Sequence, residues 1–178
     1  MIRQFFKSSL FKASGTYTFF SAFNSSIAFL LLPILTRYLS PEDYGTVAMF
    51  GTLLSIIGVL TGLSVHGAIN RAYFEKTINF KEYVANCIFI LISSSLVIFI
   101  LVFVCLDYIT IFTNVPKIWI LISVVISFFQ FIILAILAIY QAKLKSKQYG
   151  FIQIGQGILN AFLSIVFVVF LSMKWEGR

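Results

Sequence analysis

The chain has 178 residues, of which 60% are apolar and only 11% are charged, about half the charged share of a typical soluble domain. A soluble fold of this length could not bury so much apolar surface, so the composition excludes the soluble classes and indicates a membrane protein. The formal net charge of +7 does not indicate nucleic-acid binding, because the basic residues flank long apolar runs.

Five charge-free runs divide the chain, and each exceeds the ~20 residues that a helix needs to cross the hydrocarbon core. Backbone groups in lipid must pair within their own segment, which favours helices, and the runs are too long for barrel strands. The sequence therefore predicts an all-α integral membrane protein, a multi-pass helix bundle. Its transmembrane helices are expected at about residues 14–36, 43–68, 83–106, 117–141 and 149–173.

The first two predicted helices are joined by a short turn. The first run is too long for a cleaved signal peptide, and Pro33 is expected to bend the retained helix. In the turn, Ser40 is placed to cap the second helix, and Pro41 to occupy its first position. Glu42 and Asp43 then fall in its first turn, where acidic side chains are favoured.

The second predicted helix carries a stripe of small residues that indicates close helix packing. The stripe consists of Gly51, Ser55, Gly58 and Gly62. His66, the only histidine, falls near the end of this helix, where an interfacial position is favoured over a proton-coupling role.

Three predicted helices carry uncharged polar stripes that are expected to face the protein interior. They are Tyr17, Ser21 and Asn24; Ser123, Ser127 and Gln130; and Gln153, Gln156, Asn160 and Ser164. Hydrogen bonds between helices, worth ~0.6 kcal/mol each, would explain the stripes. A hydrated groove that binds sugar hydroxyls would explain them as well. The stripes alone slightly favour the structural hydrogen bonds, whereas the three amides on one face of the last helix favour the groove.

The basic residues predict the orientation. Nine of the 13 Lys and Arg residues fall in the N-terminal tail, the second connection and the fourth connection, which places these segments and the N-terminus in the cytoplasm. No predicted span contains Asp or Glu, and the sequence has no Walker loop, Cys-x-x-Cys motif or nucleophile elbow. We therefore expect no enzymatic activity, no metal site and no cofactor.

The segment from Leu35 to Gly45 resembles the first periplasmic turn of the polysaccharide-transport family, which includes the Wzx-type O-antigen flippases of the MOP superfamily. The matching turn residues are Arg37, Pro41, Glu42, Tyr44 and Gly45. The segment from Gly62 to Glu75 is similar to the end of the family's second helix, where small residues precede an arginine.

The resemblance implies the N-terminal lobe of a MATE-like transporter, with residues 1–178 ending before helix 6. It implies a bacterial inner-membrane flippase that moves undecaprenyl-diphosphate-linked oligosaccharides for O-antigen, capsule or exopolysaccharide synthesis, with a polymerase and a chain-length regulator as partners. Arg71 would contact the pyrophosphate, and sugar contacts would come from the stripes: Asn24, Gln130, Gln153, Gln156 and Asn160. Cavities in this family are often cationic, a pattern that these spans, without Lys or Arg, meet only in part.

Two other interpretations stay open at this point. A multidrug or lipid exporter of the same superfamily would share the fold, although drug–cation antiporters are expected to use acidic cavity residues. A membrane scaffold that holds polysaccharide polymerases would need no polar cavity, so the hydration of the polar stripes separates it from a transporter.

Overall fold

A computed structural model describes residues 9–75, 77–171 and 173–177, and within these ranges the chain forms helices and no strand. The helices are α1 (Ser9–Tyr38), α2 (Pro41–Gly62), α3 (Val65–Ala72), α4 (Phe80–Val104), α5 (Leu106–Thr113), α6 (Lys117–Ala142) and α7 (Ser146–Ile165). A π-helical turn, Val166–Phe170, continues α7, and a short 3-10 helix, Lys174–Gly177, follows.

Five helices in the described ranges are long and apolar enough to cross a membrane, as the sequence predicted. They cover Ser14–Tyr38, Pro41–Gly62, Phe80–Val104, Lys117–Ala142 and Ser146–Phe170. The chain is a multi-pass helical membrane protein. It divides into two compact units, of which the first comprises Met1–Tyr44 with Lys143–Arg178 and the second comprises Gly45–Ala142.

The start of α2 is a capping box. The Ser40 hydroxyl donates to Asp43 Oδ2 over 2.7 Å, and the Asp43 backbone N–H donates to Ser40 Oγ over 3.1 Å. The Ser40 N–H donates to the same carboxylate oxygen over 3.2 Å. These bonds satisfy amides that the first turn of a helix leaves free, which confirms the predicted cap.

The sequence predicted one continuous second helix over residues 43–68. This prediction is wrong, because α2 ends at Gly62 and a separate helix, α3, begins at Val65. Between them Leu63 and Ser64 take φ angles of 42° and 56°, a left-handed conformation that costs a residue with a Cβ about 1–2 kcal/mol. The Thr61 carbonyl, near the end of α2, accepts a hydrogen bond of 2.6 Å from the Ser94 hydroxyl of α4. This bond satisfies a carbonyl that apolar surroundings would otherwise leave unpaired.

The third predicted helix, 83–106, ends earlier than expected, at Val104, and a separate helix α5 follows it. The sequence predicted only a connection there. Helix α5 ends at Thr113, and Asn114 caps it with a φ of 54°, the left-handed C-terminal conformation that asparagine tolerates well. Beyond it Lys117 and Asp107 form an exposed ion pair of 2.5 Å.

The second unit is held together by apolar packing. One cluster contains Leu53, Ile57, Ile98, Val102, Val115, Ile120 and Val124, and another contains Val65, Ile69, Cys87, Ala135 and Ala138. The ring of Phe131 lies against Gly62 and is within contact distance of a Cβ at Gly58, whereas Gly51 faces open space. The small-residue stripe is therefore a packing surface at its Gly58–Gly62 end.

Candidate functional site

Helices α1 and α7 pack against each other along their length within the first unit. The rings of Tyr17 and Tyr149 meet edge to face with centroids 4.9 Å apart. Further along both helices, Phe20 covers Gly150, and Asn24 covers Gly157. Residue numbers rise together along these pairs, so the two helices run parallel, as they must if both enter from the same side of the membrane.

The close approach of the two helices depends on Gly150 and Gly157. A Cβ at Gly150 would overlap the ring of Phe20, and a Cβ at Gly157 would overlap the amide of Asn24. The two glycines are seven residues apart and so lie on the same face of α7. We did not predict either as a site residue, although this spacing is the signal that could have found them.

We call the surface between the two helices the α1–α7 seam. It consists of Tyr17, Phe20 and Asn24 on α1, of Tyr149, Gly150, Gln153 and Gly157 on α7, and of Gln156, which lines a cleft together with Asn24 and Gly157. Gln153 belongs to it because it lies one turn from both Tyr149 and Gly157, on the same face of α7. From Tyr149 to Gly157 the seam extends over roughly 12 Å of helix.

The seam contains buried polar atoms that have no hydrogen-bond partner in the described part of the chain. They are Tyr17 Oη, Asn24 Oδ1 and Gln153 Oε1. An unsatisfied buried acceptor costs about 1–3 kcal/mol, and such atoms are rare in native proteins unless water or a ligand supplies the missing bond. Two of the three are amide oxygens, which only accept hydrogen bonds. Within the described residues, the hydrogen bonds of these two acceptors are left to water or to a ligand.

Two clefts open along the same helix pair. The first holds about 300 Å³ and is lined by Asn24, Ile27, Leu31, Gln156, Gly157, Asn160 and Ala161. The second holds about 510 Å³ and is lined by Tyr17, Thr18, Ser21, Ala22, Ser25 and Tyr149. Both linings mix amides or hydroxyls with apolar side chains and contain no charged residue. Clefts of this size and polarity are in the range that binds small ligands.

The structure brings together three of the predicted sugar contacts, Asn24, Gln156 and Asn160, in the first cleft. Gln153 lies on the same seam. Gln130 belongs to α6 of the second unit and is exposed, although Ser123 and Ser127 of its predicted stripe are fully buried. The sequence predicted that all three side chains of that stripe face the protein interior. The two serines do so, but the glutamine does not.

Arg71 also lies in the second unit, near the end of α3. It lines a cleft of about 560 Å³ together with Leu63, Ser64, Gly67, Ala68, Ala72, Glu75 and Tyr83. The turn residues of the sequence motif, Arg37, Pro41, Glu42, Tyr44 and Gly45, are exposed where α1 ends and α2 begins. In the described ranges no group of three His, Cys, Asp or Glu residues could hold a metal ion.

His66 of α3 lies beside Phe131, with ring centroids 6.2 Å apart. Its Nδ1 is buried and has no hydrogen-bond partner within the described residues. The apolar neighbour agrees with a packing position for this ring.

Comparison with known proteins places the chain by sequence. Residues 11–176 match the family described as polysaccharide biosynthesis protein. The chain belongs to this family. The match covers both units and the whole α1–α7 seam, so the seam is part of a polysaccharide biosynthesis protein.

Two curated relatives come from Haemophilus influenzae. The chain is 26% identical to an uncharacterized membrane protein over 171 residues, which cover 91% of this chain and 38% of the relative. It is 35% identical to protein 1 of the Lsg locus over 65 residues, 36% of this chain and 16% of that protein. The chain thus spans well under half the length of either relative. No solved structure matches it significantly.

Proposed function

We propose that the protein containing this chain is a transporter that moves lipid-linked oligosaccharide units across the bacterial cytoplasmic membrane for surface polysaccharide synthesis. The family match supports a role in polysaccharide biosynthesis. The single observation that carries the step to transport is the α1–α7 seam, where membrane-spanning helices bury polar atoms without partners. Tyr17 and Asn24 also line the two clefts of this helix pair, where a ligand can reach them.

Sugars supply what the seam lacks. Each sugar ring carries several hydroxyl donors, and the amide oxygens of Asn24 and Gln153 can only accept. Net hydrogen bonds of this kind contribute about 0.5–1.5 kcal/mol each. Several such bonds would orient a glycan without holding it tightly, and a carrier must also release its cargo. Because the two clefts contain no charged side chain, they suit neutral sugars better than acidic ones.

The longer relatives support a larger assembly around this chain. In this proposal residues 1–178 provide five helices of an N-terminal lobe, and the remainder of the protein provides a second lobe. The α1–α7 seam would line the cavity between lobes, as binding sites near the bilayer midplane do in transporters that work by alternating access. The cytoplasmic N-terminus, predicted from the basic residues, fixes the direction of the helices.

The predicted contact between Arg71 and pyrophosphate is not part of this proposal. Glu75 lines the same cleft as Arg71, and its carboxylate would repel a ligand that carries only negative charge. The transported pyrophosphate would then be held by residues outside this cleft.

Deletion and complementation test the proposal. Deleting the gene should abolish surface polysaccharide and cause lipid-linked repeat units to accumulate on the cytoplasmic side, and the wild-type gene should restore export. Gln156→Leu should lower export about tenfold, the effect of losing roughly 1.4 kcal/mol of substrate contact. Gln148→Leu, which alters an exposed amide at the start of α7, serves as the matched control and should export normally.

Two results would overturn the proposal. Normal surface polysaccharide in a clean deletion would exclude this protein as the exporter. Loss of polymerisation without accumulation of lipid-linked units would instead favour a scaffold that organises the polymerase.

A further inference from the structure

The cleft beside α3 has opposite charges on one wall. Ser64, Gly67 and Arg71 are spaced three and four residues apart and therefore share one face of the helix, while Val65 and Ile69 on the other face are buried in the second unit. A turn after Ala72 then places Glu75 in the same cleft, with its N–H donating to the Ala72 carbonyl over 3.2 Å.

Both charges are available to a ligand. Arg71 and Glu75 are exposed. They stand four residues apart, a spacing that commonly pairs opposite charges on a helix, yet within the described ranges neither forms an ion pair. The position of Gly67 leaves the floor of the cleft open, because nothing lies within 4 Å of where its Cβ would be.

The cleft lies where the chain leaves and re-enters the membrane. Helix α3 ends at Ala72, and the next membrane-spanning helix begins at Phe80. Tyr83, the aromatic member of the cleft, stands in the first turn of that helix, at the depth where tyrosines accumulate beside lipid headgroups. A lipid of the bilayer would therefore contact this cleft with its headgroup.

We propose that this cleft binds the headgroup of a zwitterionic phospholipid with a primary amine, such as phosphatidylethanolamine. The guanidinium of Arg71 matches phosphate oxygens. The carboxylate of Glu75 accepts hydrogen bonds from the ammonium, and the ring of Tyr83 offers a surface for the same cation. This site is separate from the α1–α7 seam and does not depend on what the protein transports.

The charges in the cleft select this headgroup over its competitors. Phosphatidylglycerol has the phosphate but no cation for Glu75. Phosphatidylcholine has a cation that cannot donate a hydrogen bond to a carboxylate. A pyrophosphate-linked lipid brings only negative charge and would be repelled by Glu75. Among these lipids, only one with both a phosphate and a primary amine satisfies both Arg71 and Glu75.

Lipid retention tests the site directly. The full protein is reconstituted in nanodiscs that contain equal amounts of phosphatidylethanolamine, phosphatidylglycerol and phosphatidylcholine with matched acyl chains. It is then released into detergent, and the lipids that stay bound are counted by native mass spectrometry. The wild-type protein should retain phosphatidylethanolamine in excess of the other two.

Two variants separate the contributions of the two charges. Glu75→Gln should lower retention of phosphatidylethanolamine about tenfold, to the level of phosphatidylcholine, because one charge-assisted hydrogen bond is lost. Arg71→Ala should lower retention of all three lipids, because all three carry a phosphate. Glu176→Gln and Lys145→Ala, which change exposed charges elsewhere, should behave as the wild type.

Three outcomes would overturn the site. Glu75→Gln could retain phosphatidylethanolamine as the wild type does, or the wild type could prefer phosphatidylglycerol. Undecaprenyl pyrophosphate could also displace phosphatidylethanolamine from the wild type but not bind to Arg71→Ala, which would assign the arginine to the transported lipid. Each of these results leaves the export experiment unaffected, since that experiment depends on the α1–α7 seam.

Discussion

The α1–α7 pair and the second unit put membrane-spanning helices to different uses. In the second unit, helices with mean hydropathies of 3.1 (α4) and 2.9 (α6) pack through apolar clusters. In the first unit, the spans of α1 and α7 have lower mean hydropathies of 1.7 and 1.9, and their polar side chains turn toward each other. Mean hydropathy alone does not separate the two uses, because α2 has the same value of 1.7 as α1 and yet packs in an apolar cluster through Leu53 and Ile57. The polar side chains that α1 and α7 present to each other make the difference.

Close packing in the second unit gives the largest expected effect on stability. Gly62→Ala should lower the free energy of unfolding in detergent by about 1–3 kcal/mol, because its Cβ would overlap the Phe131 ring. Gly51→Ala, on the same stripe but facing open space, should leave stability unchanged or raise it slightly, since alanine favours the helix. Equal losses in both variants would contradict the packing assigned to Phe131.

The capping box at the start of α2 gives a smaller expected effect and belongs to the first unit. Ser40→Ala removes the hydroxyl that bonds both the carboxylate and the backbone N–H of Asp43. It should lower the free energy of unfolding by about 1 kcal/mol. Ser93→Ala, at an exposed serine within α4, is the control. If Ser40→Ala lowers the free energy of unfolding no more than this control does, the capping box does not stabilise the protein.

Two polar-to-apolar changes compare the interiors of the two units. Ser127 is fully buried with an unpartnered hydroxyl, so Ser127→Ala should raise the free energy of unfolding by up to about 1 kcal/mol. Gln153→Leu in the seam should change it by less than about 0.5 kcal/mol if water satisfies the amide. A larger gain from Gln153→Leu than from Ser127→Ala would mean that the seam is dry.

Much of this fold follows from the sequence, because a long charge-free run has few alternatives in a bilayer. The five spans are predictable for that reason, and the cap at Ser40 is predictable from the turn residues Ser40 to Asp43. The break at Leu63 and Ser64 is not predictable in this way. Neither residue is a glycine or proline, and hydropathy does not depend on whether a residue has a left-handed φ. Helix α5 had a local signal in Asn114, a residue that tolerates the left-handed C-terminal position.

The candidate site was predictable in part. Spacing placed Gln153, Gln156 and Asn160 on one face of α7, and it placed Asn24 on a polar face of α1. It did not reveal which stripes meet, because pairing depends on where two helices can approach closely. Gly150 and Gly157 decide that for α1 and α7. Ser123 and Ser127 are buried within the second unit, whereas Gln130, at the end of their stripe, is exposed.

Hydration of the α1–α7 seam within the bilayer is the central claim, and cysteine labelling measures it. In a background with Cys87 and Cys105 replaced, Gln156→Cys should react with a membrane-impermeant maleimide in reconstituted protein. Ile158→Cys, two positions further along α7 and on a different face, should stay unlabelled in lipid. If Gln156→Cys is as unreactive as Ile158→Cys, the seam is dry and the proposed path for sugars does not exist.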